Sequence, residues 1–307
     1  MSDAGGGDER EVELSDWVPE GVDITVPNVA RMYDYMLGGC HNFRVDREAV
    51  KRVDQVFPNA RRGAYVNRAF LRRVVGWLVG AGGIRQFLDI GSGIPTAGNL
   101  HEIAEWAAPG VRVMYVDIDP VAVAHTRAML AGHPRVGVVQ ADLRHPAEIT
   151  NHPEVVGLLD FSEPVAVVLV SVLHFIPDDD DPYRIVAQLR DAVAAGSYIA
   201  LAHGTKVPEL AEALEASKQI YQRTPTPAYP RSRKEIARLL IGLDLVEPGI
   251  VPITDWHPDP NETGEPWLSV LTAVARKPPH PGDEFRTTRQ PATVLPLHMR
   301  RICNGGA

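Results

Sequence analysis

The run Phe87-Leu88-Asp89-Ile90-Gly91-Ser92-Gly93, followed by Met114-Tyr115-Val116-Asp117-Ile118-Asp119, constrains the fold more than any other part of the chain. Both are short apolar stretches that stop abruptly at acid or glycine, with a helix-length segment between them. A strand buried on both faces of a parallel sheet reads this way. The first run predicts a strand that delivers a turn poor in Cβ atoms at its carboxyl end, where a ligand can approach the backbone. The second predicts a neighbouring strand that delivers a carboxylate to the same edge. Backbone against one end of a ligand and an acid on ribose hydroxyls describe a site for an adenosine.

Composition narrows the setting. The 307 residues carry a formal charge of −8, which argues against a surface built for nucleic-acid phosphates. No segment approaches the run of ~20 apolar residues that a membrane span needs. Met1 to Arg10 has no basic stretch followed by an apolar one, so no export signal is expected and a cytoplasmic setting is. Cys40 and Cys303 are too few for a disulfide framework and lack metal-ligand spacing.

Along the chain, residues 1–20 lack periodic apolar positions and are expected to be a disordered tail. From Asn28, Val29, Met32, Tyr33, Met36 and Leu37 fall at helical spacing, and Gly38-Gly39 supplies a stop. Two further helical patterns run from Val45 to before Pro58 and from Asn59 to Val79. Residues 21–83 thus form a helical cap. Strands are predicted at 85–90, 111–117, 135–140, 164–171 and 197–203. Helices are predicted between them, at about 96–107, 120–131, 146–159 and 183–194. That alternation means βαβ units and a parallel sheet with helices on both faces. Helices at 207–221 and 232–241, the second opened by a Ser232/Glu235 capping box, and strands at 243–251 and 267–275 complete a seven-stranded, mostly parallel α/β domain over 84–277. The Pro- and Arg-rich remainder, 278–307, is expected to run over the surface.

The loop Gly91-Ser92-Gly93-Ile94-Pro95-Thr96 departs from the dinucleotide fingerprint. The fingerprint's last position wants Gly or Ala to bring a helix N-terminus to a pyrophosphate, and here it is Thr96. Pro95 removes an amide donor nearby. Asp89 would set a negative charge beside bound phosphate. These features disfavour NAD and suit a ligand that lacks phosphate and carries positive charge; S-adenosylmethionine is such a ligand. Asp89 would then face its ammonium, directly or through water, and Asp117 would accept from both ribose hydroxyls. Asp142 fits either a contact to the adenine amino group or a structural turn.

Asp89-Ile90-Gly91-Ser92-Gly93, Val116-Asp117-Ile118-Asp119-Pro120, Ala141-Asp142-Leu143 and Ser171-Val172-Leu173-His174-Phe175-Ile176-Pro177-Asp178 together resemble the motif series of Rossmann-like class I methyltransferases. The preamble Val26-Pro27-Asn28-Val29-Ala30-Arg31-Met32-Tyr33-Asp34-Tyr35-Met36-Leu37-Gly38-Gly39 is more specific. With Asn42-Phe43, Asn67 to Arg73 and Gly83 to Gly91, it resembles one bacterial family of S-adenosylmethionine-dependent methyltransferases long filed as a domain of unknown function. The resemblance covers about residues 20–277. It implies cofactor contacts at Asp89, Gly91, Asp117, Asp142 and Ser171, with the adjoining Ser92, Gly93, Ile118 and Leu143. It implies an N-terminal helical lid over the cofactor, with Tyr33 and Asp34 as catalytic candidates. Asn28, Arg31, His41 and Asn42 would line a pocket for a small-molecule acceptor. One departure from the general class is Pro95, where many methyltransferases carry a third glycine.

Other residues admit a plainer reading. His174 is either a base or, more commonly for a strand-end histidine, one satisfied by backbone, and His203 is similar. Asp178 to Asp181 reads as a solvated acidic loop rather than a metal site. Arg31 and Asp34 can pair on one helix face. Arg68, Arg72 and Arg73 read as surface charge. The weakness of the base candidates keeps open a second function, a module that binds the cofactor or its demethylated product without turnover.

Overall fold

The structure is a computed structural model, and it describes residues 22–57, 59–95, 98–221, 224, 227–259 and 265–279. The tail expected over 1–20, Thr96 and Cys303 lie outside the described residues, as does the expected extension beyond Pro279.

The alternating patterns fold into one sheet. Strands β1 (Gln86–Ile90), β2 (Arg112–Asp117), β3 (Val136–Gln140), β4 (Ala166–Val170) and β5 (Tyr198–Gly204) are parallel. Beyond β5 lie three antiparallel strands: β6 (Asp244–Leu245) and β7 (Val251–Pro252) both pair with β8 (Val270–Arg276), which pairs with β5. The order is β3-β2-β1-β4-β5-β8-β6, with β7 also on β8. The sheet therefore has eight strands rather than the expected seven. The strand expected over 243–251 is broken in two, its halves lying along β8 opposite Ala275–Arg276 and Leu271–Thr272. Pro248 has no amide to donate to a ladder, and Gly249 turns the chain at φ 83°, its amide closing back onto the Val246 carbonyl at 2.8 Å.

Both faces of the sheet are covered, which is why β4 reads as an unbroken apolar run. Leu88, Val167 and Leu169 point to one face and pack with α6 (Pro146–Thr150), α7 (Pro153–Leu158), α8 (Pro182–Ala192) and α10 (Arg233–Leu239). Phe87, Ala166 and Val168 point to the other. They pack with α3 (Ala60–Gly80), α4 (Leu100–Ala107) and α5 (Pro120–Met129). The Ser232/Glu235 capping box opens α10 as expected.

A third, smaller core joins α1 (Val29–Met36) and α2 (Arg44–Val56) to the start of α3 and the end of α9 (Ala211–Tyr221). Asp46 is its polar centre. The fully buried carboxylate accepts from the amides of Asn28 (2.9 Å) and Phe43 (2.8 Å) and pairs with Arg31 at 3.2 Å. Arg31 also donates to the carbonyls of Val26 (2.6 Å) and Asp23, and its guanidinium lies over Phe43. Arg31 therefore pairs across to α2 rather than with Asp34. Arg73 is a second correction: it is buried and donates to the carbonyls of Trp256 (3.0 Å) and Ile253 (2.7 Å), tying α3 to the turn after β7. Arg72 is on the surface, paired with Asp259.

Removing one partner of a buried ion pair leaves the other charge uncompensated, at a cost of about 3–5 kcal/mol. Arg31→Ala is accordingly expected to lower stability by about 3 kcal/mol, whereas the exposed Arg44→Ala changes it by less than about 1 kcal/mol. Denaturant unfolding curves of the two variants against the parent check this.

Candidate functional site

Strand order reverses direction between β1 and β4, so the loops leaving these neighbours part and open a crevice at their carboxyl ends. A cavity of about 800 Å³ occupies it. The turn after β1 forms its floor. Gly91 sits at φ 74°, and a Cβ there would stand 2.4 Å from Cγ2 of Val172, in the turn after β4. Only glycine lets these two turns touch. Ile94 anchors the far end of the loop, buried against Val121 and Ala122.

Asp117, at the end of β2, fixes this geometry. Its Oδ2 accepts from the Gly93 amide at 2.7 Å and its Oδ1 from the Asp119 amide at 2.9 Å. Asp119 in turn caps α5 by accepting from the Val121 amide at 2.7 Å. Asp89 lies alongside, at the end of β1. Burial raises the Asp89 carboxyl from 3.8 to about 7, with Arg68 opposing the shift and Asp117 adding to it. Burial likewise raises Asp117 to about 6, opposed chiefly by the Asp119 and Gly93 amides. Two desolvated acids side by side, with backbone donors on one and a single guanidinium nearby, form a site that favours a cation.

The turn after β4 supplies Ser171, held at φ 60°, a conformation few non-glycine residues adopt. Its amide donates to the Ala202 carbonyl and its hydroxyl to Asn67 Oδ1, both at 2.9 Å. The Asn67 amide nitrogen donates to the Tyr33 phenol at 3.0 Å, and that phenol donates to the Ala64 carbonyl at 3.2 Å. The relay joins the sheet edge to the helices above it, and Arg68 lies over the Tyr33 ring. Burial pushes the Tyr33 phenol upward, so it keeps its proton.

The cavity collects most of the residues expected from the sequence: Asp89, Gly91, Ser92, Gly93, Asp117 and Ile118 at one end, Asp142, Leu143 and Ser171 around them, and Tyr33, Asn28 and His174 beyond. Besides Asp117, Ser171 and Tyr33, three more of these have side chains already engaged. The Asn28 amide oxygen caps α1 through the Ala30 amide at 2.8 Å. Asp142 is salt-bridged to Arg144. His174 Nδ1 accepts from the Gly204 amide at 3.3 Å, and burial, His203 and Arg231 lower its pKa to about 3. It is a neutral imidazole. His203 is fully buried, with Nδ1 on the Gly204 carbonyl at 2.7 Å and Nε2 facing the Arg231 guanidinium at 3.1 Å.

Asp34, Arg31, His41 and Asn42 do not line the cavity. They form the turn behind it: Asp34 Oδ2 accepts from the His41 amide (2.9 Å) and Asn42 Nδ2 (2.8 Å). Gly39 is pressed so close to Asp34 that a Cβ there would overlap the carboxylate. The His41 ring lies 3.9 Å from that of His125 on α5. The acidic loop Asp178 to Asp181 holds Arg231 through Asp178 at 2.7 Å and caps α8 through Asp181. Among the described residues, no group of three His, Cys, Asp or Glu side chains is arranged to hold a metal.

Arg68, expected on the surface, lines the cavity beside Asn67. The signal was present: Ala64, Asn67, Arg68 and Leu71 recur at helical spacing on α3, and all four face the cavity. The Arg72 and Arg73 beside them obscured it by suggesting a solvated run.

Residues 15–278 match the model of a family described as S-adenosyl methyltransferase. A protein from Thermobifida fusca YX, provisionally described as a methyltransferase, is 39% identical over 86% of this chain and 100% of its own, with a TM-score of 0.79. A DUF574 family protein from Streptomyces avermitilis MA-4680 is 38% identical over 83% of this chain and 99% of its own, again at 0.79. No functionally curated protein matches the chain. Among the described residues, no helix is long and apolar enough to cross a membrane.

The raised Asp89 has a consequence for stability. An unfolded Asp releases its proton near pH ~4, whereas folded Asp89 holds it to about 7, so between these values the folded state binds more protons and stability falls as pH rises. Asp89→Asn, which cannot ionise, is expected to raise the Tm of the ligand-free protein by a few °C at pH 8, with the gain shrinking as pH is lowered toward 4. Thermal scans across that range check it.

Proposed function

The chain belongs to the S-adenosyl methyltransferase family, and from that premise we propose that it transfers a methyl group from S-adenosylmethionine to a small-molecule acceptor. The observation that carries the reading is the continuity of the cavity. It runs without interruption from Asp89 and Asp117, past Ser171 and His174, to a chamber lined by α1, α2, α3 and α9. The space extends well beyond the residues suited to the cofactor, as a two-substrate site requires. This disfavours a module that binds the cofactor alone.

The donor set fits the cofactor. S-adenosylmethionine supplies a methyl group already activated on a cationic sulfonium. Asp117 is assigned to the ribose hydroxyls; a carboxylate has about four acceptor positions, and Gly93 and Asp119 take two. Ile118 and Leu143 flank the adenine, beside Asp142 and its partner Arg144. Asp89 suits the ammonium of the amino-acid end. Arg68, whose Nε is buried without a partner in the protein, suits its carboxylate, as the equally unpartnered Ser92 Oγ suits a further polar atom there.

The remaining work is positioning and exclusion of water. Ser171, Asn67 and Tyr33 set the distance between the sheet edge and the cap. Tyr33 and His174, both uncharged, face the acceptor side as positioning groups. Asp34, Arg31, His41 and Asn42 shape the α1–α2 turn that closes the roof. A cytoplasmic setting accords with a sequence of only two cysteines, too few for a disulfide framework.

Asp117→Ala is expected to weaken S-adenosylmethionine binding at least 100-fold while the far-ultraviolet circular dichroism stays that of the parent. Unchanged affinity refutes the ribose assignment. The raised acids also set a pH dependence. A cationic ligand prefers their ionised forms, so affinity is weak below pH 5, rises through 6 and 7, and levels off near 8. Calorimetric titrations at these pH values give the profile, and a flat one contradicts the roles of Asp89 and Asp117.

A further inference from the structure

The far chamber of the cavity has a chemistry that the cofactor residues leave unused. Five aromatic rings line it, each half-buried: Phe57 after α2, Phe175 after β4, Tyr221 at the end of α9, Tyr229 before α10 and Trp267 before β8. They come from five separate pieces of chain, so only the complete fold assembles them. Phe57 and Trp267 meet edge to face, centroids 5.9 Å apart at 87°, and Phe175 and Tyr221 stand 6.3 Å apart at 49°. The Trp267 indole is held in place. It lies against α3 where Gly63 has no Cβ, and one built there would come within 2.9 Å of Cζ2; the Arg62 guanidinium sits over the same ring. Apolar side chains fill the spaces between the rings: Met36, Val53 and Leu214, with Ala60 and Ala64 keeping the α3 wall low.

Charge is scarce at this end. Lys218 of α9 lines it and pairs with Glu215 at 3.5 Å. Asp180, also on the cavity wall, faces Arg144 on the adenosine side instead.

We propose that the methyl acceptor is a flat, largely apolar small molecule, an aromatic or conjugated ring system, held among these rings with its nucleophile turned toward Ser171 and His174. The proposal rests on the assignment of the Asp89–Asp117 end to the cofactor. Rings of a planar guest gain edge-to-face and offset contacts here beyond simple burial. A small polar aliphatic acceptor finds few polar partners here, chiefly Lys218 and the buried, unpartnered Ser217 Oγ, to replace its lost hydration.

The same walls limit the nucleophile. Tyr221 is pushed up to about 12 and stays a neutral phenol, and the imidazole of His174, lowered to about 3, is too weak a base to take a proton near neutral pH. The acceptor therefore brings its own lone pair, as an amine does, or a hydroxyl acidic enough to ionise in water. That lone pair forms the new bond to the methyl carbon while the carbon–sulfur bond breaks and its electrons stay on sulfur. A proton lost by the acceptor goes to solvent.

The test uses the full chain saturated with S-adenosylhomocysteine and titrated calorimetrically with 2-naphthol and 1-naphthylamine, and separately with ethanolamine and glycine. The naphthyl probes are expected to bind at least ten-fold more tightly than the aliphatic ones. Ala60→Trp, which fills the chamber, and Phe57→Leu, which removes a ring, are each expected to weaken naphthyl binding, the first at least ten-fold. Both should leave S-adenosylhomocysteine affinity within two-fold of the parent. The proposal is overturned if the naphthyl probes show no saturable binding, if the aliphatic probes match them, or if naphthyl binding survives both substitutions. Failure of the parent to bind S-adenosylhomocysteine overturns the cofactor assignment as well, which separates the two claims.

Discussion

Two acids buried side by side at the ends of β1 and β2 are the constraint around which this structure is arranged. Water would hold both ionised at little cost; the crevice does not, and their carboxyls rise to about 7 and about 6. The fold makes the arrangement tolerable by limited means. Asp117 is given two backbone amides, and those amides fix the glycine turn and the entry to α5. For Asp89, the opposing influence among the described residues is the nearby field of Arg68. Such a site destabilises the ligand-free protein and is relieved by a bound cation, an example of stability given up where function needs it.

The helices above the crevice are held by a different device. Asp46 draws the start of α1, the start of α2 and the Arg31 guanidinium to one buried point. Ser171, Asn67 and Tyr33 then connect that layer to the sheet edge through hydrogen bonds of about 3 Å. The roof is therefore positioned by polar contacts at Asp46 and along Ser171, Asn67 and Tyr33, and by apolar packing against α9. Its inner surface is mostly apolar, with Arg68 and Lys218 the charged side chains that α3 and α9 bring to the cavity.

Much of this was legible in the residues. The mostly apolar runs at 86–90, 112–117 and 166–170 announced strands because a sheet covered on both faces favours apolar side chains along its length. The residues that end these runs, Gly91, Asp117 and Ser171, announced the ligand edge. The break between β6 and β7 was less visible, since Val246, Ile250 and Val251 keep a strand-like texture around Pro248-Gly249. Polar density misled in two places. Beside Gly38-Gly39 it suggested a pocket, yet Arg31, Asp34 and Asn42 spend their polar atoms on the backbone and on neighbouring acids and amides. Among the arginines of α3 it suggested a surface, yet helical geometry turns Arg68 to the cavity, Arg72 to solvent and Arg73 to the carbonyls of Ile253 and Trp256. Composition cannot tell these apart, because the partners of a buried arginine are backbone carbonyls far away in sequence.

The proposed function requires a nucleoside lying across the ends of β1, β2 and β3 with its ribose on Asp117. A crystal structure with S-adenosylhomocysteine addresses that most directly. Both ribose hydroxyls are predicted within hydrogen-bond distance of the Asp117 carboxylate, about 2.5–3.0 Å, with the amino-acid end against Asp89 and Arg68. Ribose density away from Asp117, or an unfilled crevice at saturating ligand, would contradict it.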